Sequence, residues 1–158
     1  MRRSRRRLRN TSSKEPAKPL LLDTDVYFSY IRSDSLSPHA ANVVASIKRG
    51  EIAPYASSIL FDDMITALRS KQVEKEEIRK ALLAVASIGC TPLPVTPAIA
   101  LTSLDLIEIH GGSRRLHYFD AYHVATAIHN ALPILTSDKY ILENQAGLEI
   151  TALDLRKM

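Results

Sequence analysis

Short apolar runs alternate with helix-length segments along this chain, and that alternation leaves few folds open to it. Leu20-Leu21-Leu22, Ile52 to Ser57, Thr91 to Thr96, Pro133 to Thr136 and Leu148 to Leu153 read as strands. Between them lie helical stretches: Val26 to Ile31, Pro38 to Arg49, Ile59 to Arg69, Val73 to Ile88, Pro97 to His110, Phe119 to Asn130 and Tyr140 to Gln145. Gly50, Gly89 and the pair Gly111-Gly112 stand where helices stop. Strands joined through helices line up in parallel, and a parallel sheet is covered on both faces. Pro92 and Pro94 confine the third strand to an edge, because proline has no N–H to offer a neighbour. The expected architecture is a three-layer α/β/α sandwich.

A length of 158 residues suits one domain. The net charge of +4 conceals a division, since residues 1–18 carry six arginines, Lys14 and Lys18 against Glu15 alone. Residues 19–158, the expected folded domain, are therefore net acidic. Such a basic tail is a solvated arm, a non-specific grip on nucleic-acid phosphates, or both. No apolar run approaches the roughly 18 residues of a membrane span, and no apolar stretch follows the arginines as in a secretory signal. A cytoplasmic protein without membrane contact is expected. Cys90, the single cysteine, excludes an internal disulfide and any cysteine-based zinc spacing.

Acidic residues fall at the places where such a sheet binds ligands, beyond the carboxyl ends of its strands. Asp23 ends the first strand, Asp138 follows Ile134-Leu135-Thr136, and Asp120 stands where a basic loop enters a helix. Asp63 or Asp62 lies in the first turns of the helix after Ser57-Ser58. Singly, each is explained by a turn or a helix cap. Together they would repel one another unless cations neutralised them. Mg²⁺ and Mn²⁺ favour hard oxygen ligands, and a divalent ion so held activates water and stabilises an in-line displacement at phosphorus.

The strings Leu22-Asp23-Thr24-Asp25-Val26, Ser58-Ile59-Leu60-Phe61-Asp62-Asp63, Phe119-Asp120-Ala121-Tyr122-His123-Val124-Ala125-Thr126-Ala127 and Leu135-Thr136-Ser137-Asp138-Lys139 carry a family pattern. Over about residues 20–153 the chain resembles PIN-domain nucleases, and within them the VapC-type toxins of toxin–antitoxin pairs. That resemblance implies a five-stranded parallel sheet of order 3-2-1-4-5, with Asp23 and Asp138 adjacent. It implies a metal-dependent endoribonuclease that uses Mg²⁺ or Mn²⁺ and leaves 5′-phosphate and 3′-hydroxyl ends. A homodimer and an antitoxin partner are implied as well. The family's acids carry over to Asp23, Asp120 and Asp138, and its helix glutamate falls on the shorter Asp63.

Thr24, Thr136 and Ser137 are candidates to bind the carboxylates or a phosphate, and Arg114 and Arg115 to hold RNA. His123 is read as structural, and Tyr118 and Tyr122 as packing residues. Two other functions fit part of the pattern. Asp23-Thr24-Asp25-Val26 is similar to the first motif of haloacid-dehalogenase-type phosphatases, although little chain follows Thr136 for the later motifs. A PIN-like module that binds RNA or protein without cutting is the other, because Asp63 departs from the family glutamate.

Overall fold

Leu20, Leu21 and Leu22 alternate across the strand β1 (Lys18–Leu22) and so seed two separate cores. Leu20 and Leu22 pack with Val26, Tyr27, Val43 and Met64 on one face. Leu21 packs with Ile99, Val124 and Ile141 on the other. The computed structural model describes residues 15–113 and 115–158.

After β1 the chain runs through α1 (Thr24–Ile31), α2 (Ser37–Lys48), β2 (Ile52–Ser57), α3 (Leu60–Ser70), α4 (Lys75–Ala86) and β3 (Thr91–Leu93). It continues through α5 (Pro97–His110), α6 (Tyr118–His129), β4 (Ile134–Thr136), α7 (Lys139–Glu143) and β5 (Ala152–Asp154), closing with a short 3₁₀ turn at Leu155–Lys157. All pairings are parallel and the five-stranded sheet has the order β3-β2-β1-β4-β5, as expected from the resemblance. Helices α1–α4 contribute to the first core and α5–α7 to the second, which gives three layers. Among the described residues no helix is long and apolar enough to cross a membrane.

The tail's residues 1–14 lie outside the described residues, and β1 begins at Lys18, just inside the segment read as tail. The third strand is shorter than its expected span to Thr96. After Leu93 the edge is taken over by Ser58, whose N–H donates to the Leu93 carbonyl and whose hydroxyl accepts the Val95 N–H at 3.1 Å. Proline at 94 has no N–H with which to extend the ladder.

The last strand departs most from expectation. Residues 148–151 form turn and coil, and β5 holds only Ala152–Asp154. The segment instead rounds off α7: Leu148 N–H bonds the Asn144 carbonyl, Ile150 N–H bonds that of Gln145, and Glu149 takes a left-handed φ of 55°. An extended strand cannot contain that residue. Leu148 is buried all the same, so its apolarity marks the core rather than a strand.

Gly111 allows a tight reversal between α5 and α6. A Cβ there would stand 2.3 Å from the Ile107 carbonyl oxygen, so only glycine fits. The reversal lets Leu116 N–H bond the His110 carbonyl at 3.2 Å and sets the start of α6 beside the sheet edge.

Candidate functional site

Parallel strands bring their carboxyl ends to one edge, and here the chain leaves β1, β2 and β4 to enter α1, α3 and α7. Asp23 follows β1 directly and caps α1, its Oδ1 accepting the Thr24 N–H at 2.8 Å. Its Oδ2 accepts the Thr136 hydroxyl at 2.7 Å, which ties the end of β1 to the end of β4. Asp138 caps α7 through Oδ1, which accepts the Ile141 N–H at 3.0 Å.

Asp120 is not the cap of its helix. His117 holds that place, and Asp120 reaches back from the first turn so that Oδ2 accepts the His117 backbone N–H at 3.2 Å. Asp63 lies in the first turn of α3, with Oδ2 at 3.3 Å from His123 Nε2. The same ring nitrogen stands 2.8 Å from the Thr24 hydroxyl. Fully buried His123 thus joins α6 to both α1 and α3.

These residues meet. Asp23, Asp25, Asp63, Asp120 and Asp138 line one cleft of about 330 Å³ with Thr24, Phe28 and Ser137. Asp62, the alternative to Asp63, is exposed and does not line it. Size alone does not identify the site: a larger groove of about 820 Å³ between α3 and α4 is walled by residues such as Ile65, Ile78 and Leu82 and contains no acid.

Asp25, which is not among the candidate site residues read from the sequence, also belongs to the cleft wall. Its Oδ2 accepts the Ser137 N–H at 2.6 Å and the Ser137 hydroxyl, while its Oδ1 is buried with no partner. The Asp-Thr-Asp string was its signal, but its fixing partner comes from the loop after β4. Thr24 and Thr136 are buried, with their hydroxyls engaged at His123 and Asp23. Ser137 faces the cleft while bonded to Asp25. Arg115 is exposed and lies outside the cleft lining, and Arg114 lies outside the described residues.

The electrostatics of this cleft call for a cation. Burial, then the charges of Asp25 and Asp120, push the Asp23 carboxyl well above its ordinary value. Burial raises Asp25 against the opposing hydrogen bonds from Ser137. Burial and the charge of Asp138 raise Asp120. Among the described residues, none of these acids has a lysine or arginine within ion-pair distance. The orphaned Asp25 Oδ1 and the uncompensated charge both fit a hard divalent ion, with Asp23, Asp63, Asp120 and Asp138 as the oxygen donors. Among the described residues, no three His, Cys, Asp or Glu side chains stand close enough to enclose an ion by themselves. An open set of this kind suits Mg²⁺, which keeps several waters and is held by one or two carboxylates with substrate phosphate.

Several solved structures share this fold. FitAcB from Neisseria gonorrhoeae aligns with a TM-score of 0.62 at 16% identity, covering 88% of this chain and 99% of its own. VapBC2 from Rickettsia felis, bound to a DNA fragment from their promoter, gives 0.64 at 15% identity, covering 86% and 98%. VapBC-5 from Mycobacterium tuberculosis, of the VapBC family of toxin-antitoxin systems, gives 0.55 at 18% identity, covering 86% and 98%. No curated protein matches the chain. At these identities the structures establish the fold. The family is established by sequence: the PIN domain profile matches residues 20–147, from β1 past Asp138, and the chain belongs to the PIN domain family.

Proposed function

We propose that this chain is a metal-dependent endoribonuclease and the toxin of a toxin–antitoxin pair. The observation that carries the reading is the meeting of Asp23, Asp63, Asp120 and Asp138 in one cleft with, among the described residues, no lysine or arginine within ion-pair distance. PIN domains are generally nucleases, and one of the structural neighbours, VapBC-5, is a member of the VapBC family of toxin-antitoxin systems. An antitoxin is therefore the proposed protein partner, and a homodimer the proposed assembly.

Bound Mg²⁺ or Mn²⁺ would supply Lewis acidity, making water nucleophilic near neutral pH and stabilising charge at phosphorus. The protein's part is to hold its carboxylates in place. Thr136 and the Thr24 N–H fix both oxygens of Asp23, and His117 and Ile141 N–H groups fix one oxygen each of Asp120 and Asp138. In the proposed reaction a water oxygen bonds to phosphorus, the P–O3′ bond breaks, and the 3′ oxygen leaves to take up a proton. The products carry 5′-phosphate and 3′-hydroxyl ends.

The test is cleavage of single-stranded and structured RNA with Mn²⁺, Mg²⁺ or EDTA. Wild-type protein should cut with either metal and stop in EDTA. Asp120→Asn should lower the rate by about two orders of magnitude or more while keeping the fold. Undiminished cutting by that variant would reject the site. RNA binding without cutting would identify a non-catalytic module, and phosphate release from small esters a phosphatase.

A further inference from the structure

Phe28 is the one aromatic residue in the wall of the acidic cleft, and it carries an arginine. Arg32 lies one turn further along, at the end of α1, where its N–H bonds the Phe28 carbonyl. Its guanidinium carbon stands 4.1 Å from the centre of the Phe28 ring. Both side chains are half-buried.

This arginine is held by a ring rather than by an acid. Among the described residues no carboxylate lies within ion-pair distance of Arg32. Asp34, the nearest acid in sequence, is occupied by the Leu36 N–H at 2.8 Å and the Ser29 hydroxyl at 3.3 Å. Arg156, which also reaches this edge, differs: it is paired with Asp154 at 3.0 Å and donates to the Ser137 carbonyl at 2.9 Å. A guanidinium stacked on an aromatic face keeps its fork of N–H donors in its own plane, free for an anion.

The nuclease reading gives that anion an identity, and the inference rests on it. A phosphodiester approaching this cleft meets a floor of carboxylates, so a positive group at the wall is needed to seat the strand. We propose that Arg32, whose guanidinium carbon lies over the ring of the cleft residue Phe28, binds a phosphate of the RNA strand adjacent to the one being cut. The guanidinium donates two parallel N–H bonds to the phosphate oxygens, and Phe28 fixes the plane of the fork. Arg32 positions substrate and takes no part in bond breaking.

The experiment is steady-state cleavage of a fluorescent single-stranded RNA oligonucleotide with Mn²⁺ over a series of KCl concentrations. Arg32→Met should raise KM about tenfold and leave kcat within about twofold, because uniform binding is lost. It should also flatten the dependence of log(1/KM) on log[KCl] by about 0.7, the share of one phosphate contact on a single strand. Arg32→Lys and Phe28→Leu keep the charge, so both should keep the salt slope while raising KM a few-fold. Arg79→Met, on α4 and paired with Glu76, controls for general loss of one positive charge and should match wild type.

If wild type cuts and Arg32→Met shows the wild-type KM and salt slope, the inference is overturned and the nuclease reading stands. A lowered melting temperature with unchanged KM and slope would reduce Arg32 to a helix-end charge and overturn it equally. Wild-type protein that neither binds nor cuts the oligonucleotide with Mn²⁺ overturns both.

Discussion

Asp120 and Asp138 each give one carboxylate oxygen to a helix start and keep the other without a protein donor among the described residues. His123 faces a similar division. A carboxylate oxygen accepts and does not donate, so the contact at 3.3 Å is a bond only if Nε2 carries hydrogen. Nδ1 is buried without a partner, and an orphaned N–H is rarer in folded proteins than an unfilled lone pair. Both observations place the proton on Nε2, shared between Thr24 and Asp63. Nitrogen NMR of the metal-free protein should therefore find hydrogen on His123 Nε2; a ring carrying it on Nδ1 alone would refute the assignment. His123→Leu frees Asp63 and should weaken Mn²⁺ binding by roughly 10–100-fold, read by calorimetry, while His123→Gln, whose amide reaches the Nε2 position, should recover most of it. That Asp23, Asp120, Asp138 and either Asp63 or Asp62 stand at strand ends and helix starts was legible from local apolar runs, and the family strings favoured Asp63. The place of Asp25 in the cleft was not legible, since Ser137, which fixes it, lies 112 residues away. The Phe28–Arg32 pair is local in sequence, but its place beside the cleft depends on the whole sheet.

Elements differ in how openly the sequence declares them. Helices α2, α5 and α6 have proline, threonine or acid starts and apolar faces, and they lie within a residue or two of their expected bounds. The final strand misled because Leu148, Ile150, Ala152 and Leu153 make the segment apolar enough to read as a strand. Burial separates them: Leu148 is 1% exposed and Leu153 36%. Leu148→Ala should therefore cost about 2–5 kcal/mol, since it empties a place in the second core. Leu153→Ala should cost well under half of that. Urea unfolding of both variants measures the difference, and equal losses would contradict the assignment of 148–151 to the core-filling turn. The short β3 was legible in part, because its prolines announced an edge, but the takeover by Ser58 is a tertiary event.

At the scale of the molecule, the cleft is an electrostatic burden on the metal-free fold. Asp23, Asp25 and Asp120 all have folded-state pKa values raised by burial, and Asp23 and Asp120 also by neighbouring acids. A raised carboxyl favours the folded state when protonated, so its contribution is complete below the unfolded value near 3.9 and disappears as pH rises through the folded value. Metal-free protein should thus lose stability from this cluster as pH rises from about 4. Manganese should raise the melting temperature more at pH 7 than at pH 5. Asp120→Asn should raise the metal-free melting temperature at neutral pH and shrink the manganese increment. A melting temperature indifferent to metal at both pH values would remove the cation from the account. The strand order was legible through the family strings alone, because alternation of strands and helices fixes a parallel sheet but not which strands are neighbours.

The strand that carries Asp23 leaves the ribosome first, yet one of its two neighbours in the sheet, β4, is among the last to emerge. The Thr136 hydroxyl that steadies Asp23 comes 113 residues later. Until then the middle of the sheet has an open side and the acidic cleft lacks one wall. Fragments of this chain that stop before Thr136 are therefore incapable of assembling the acidic cleft.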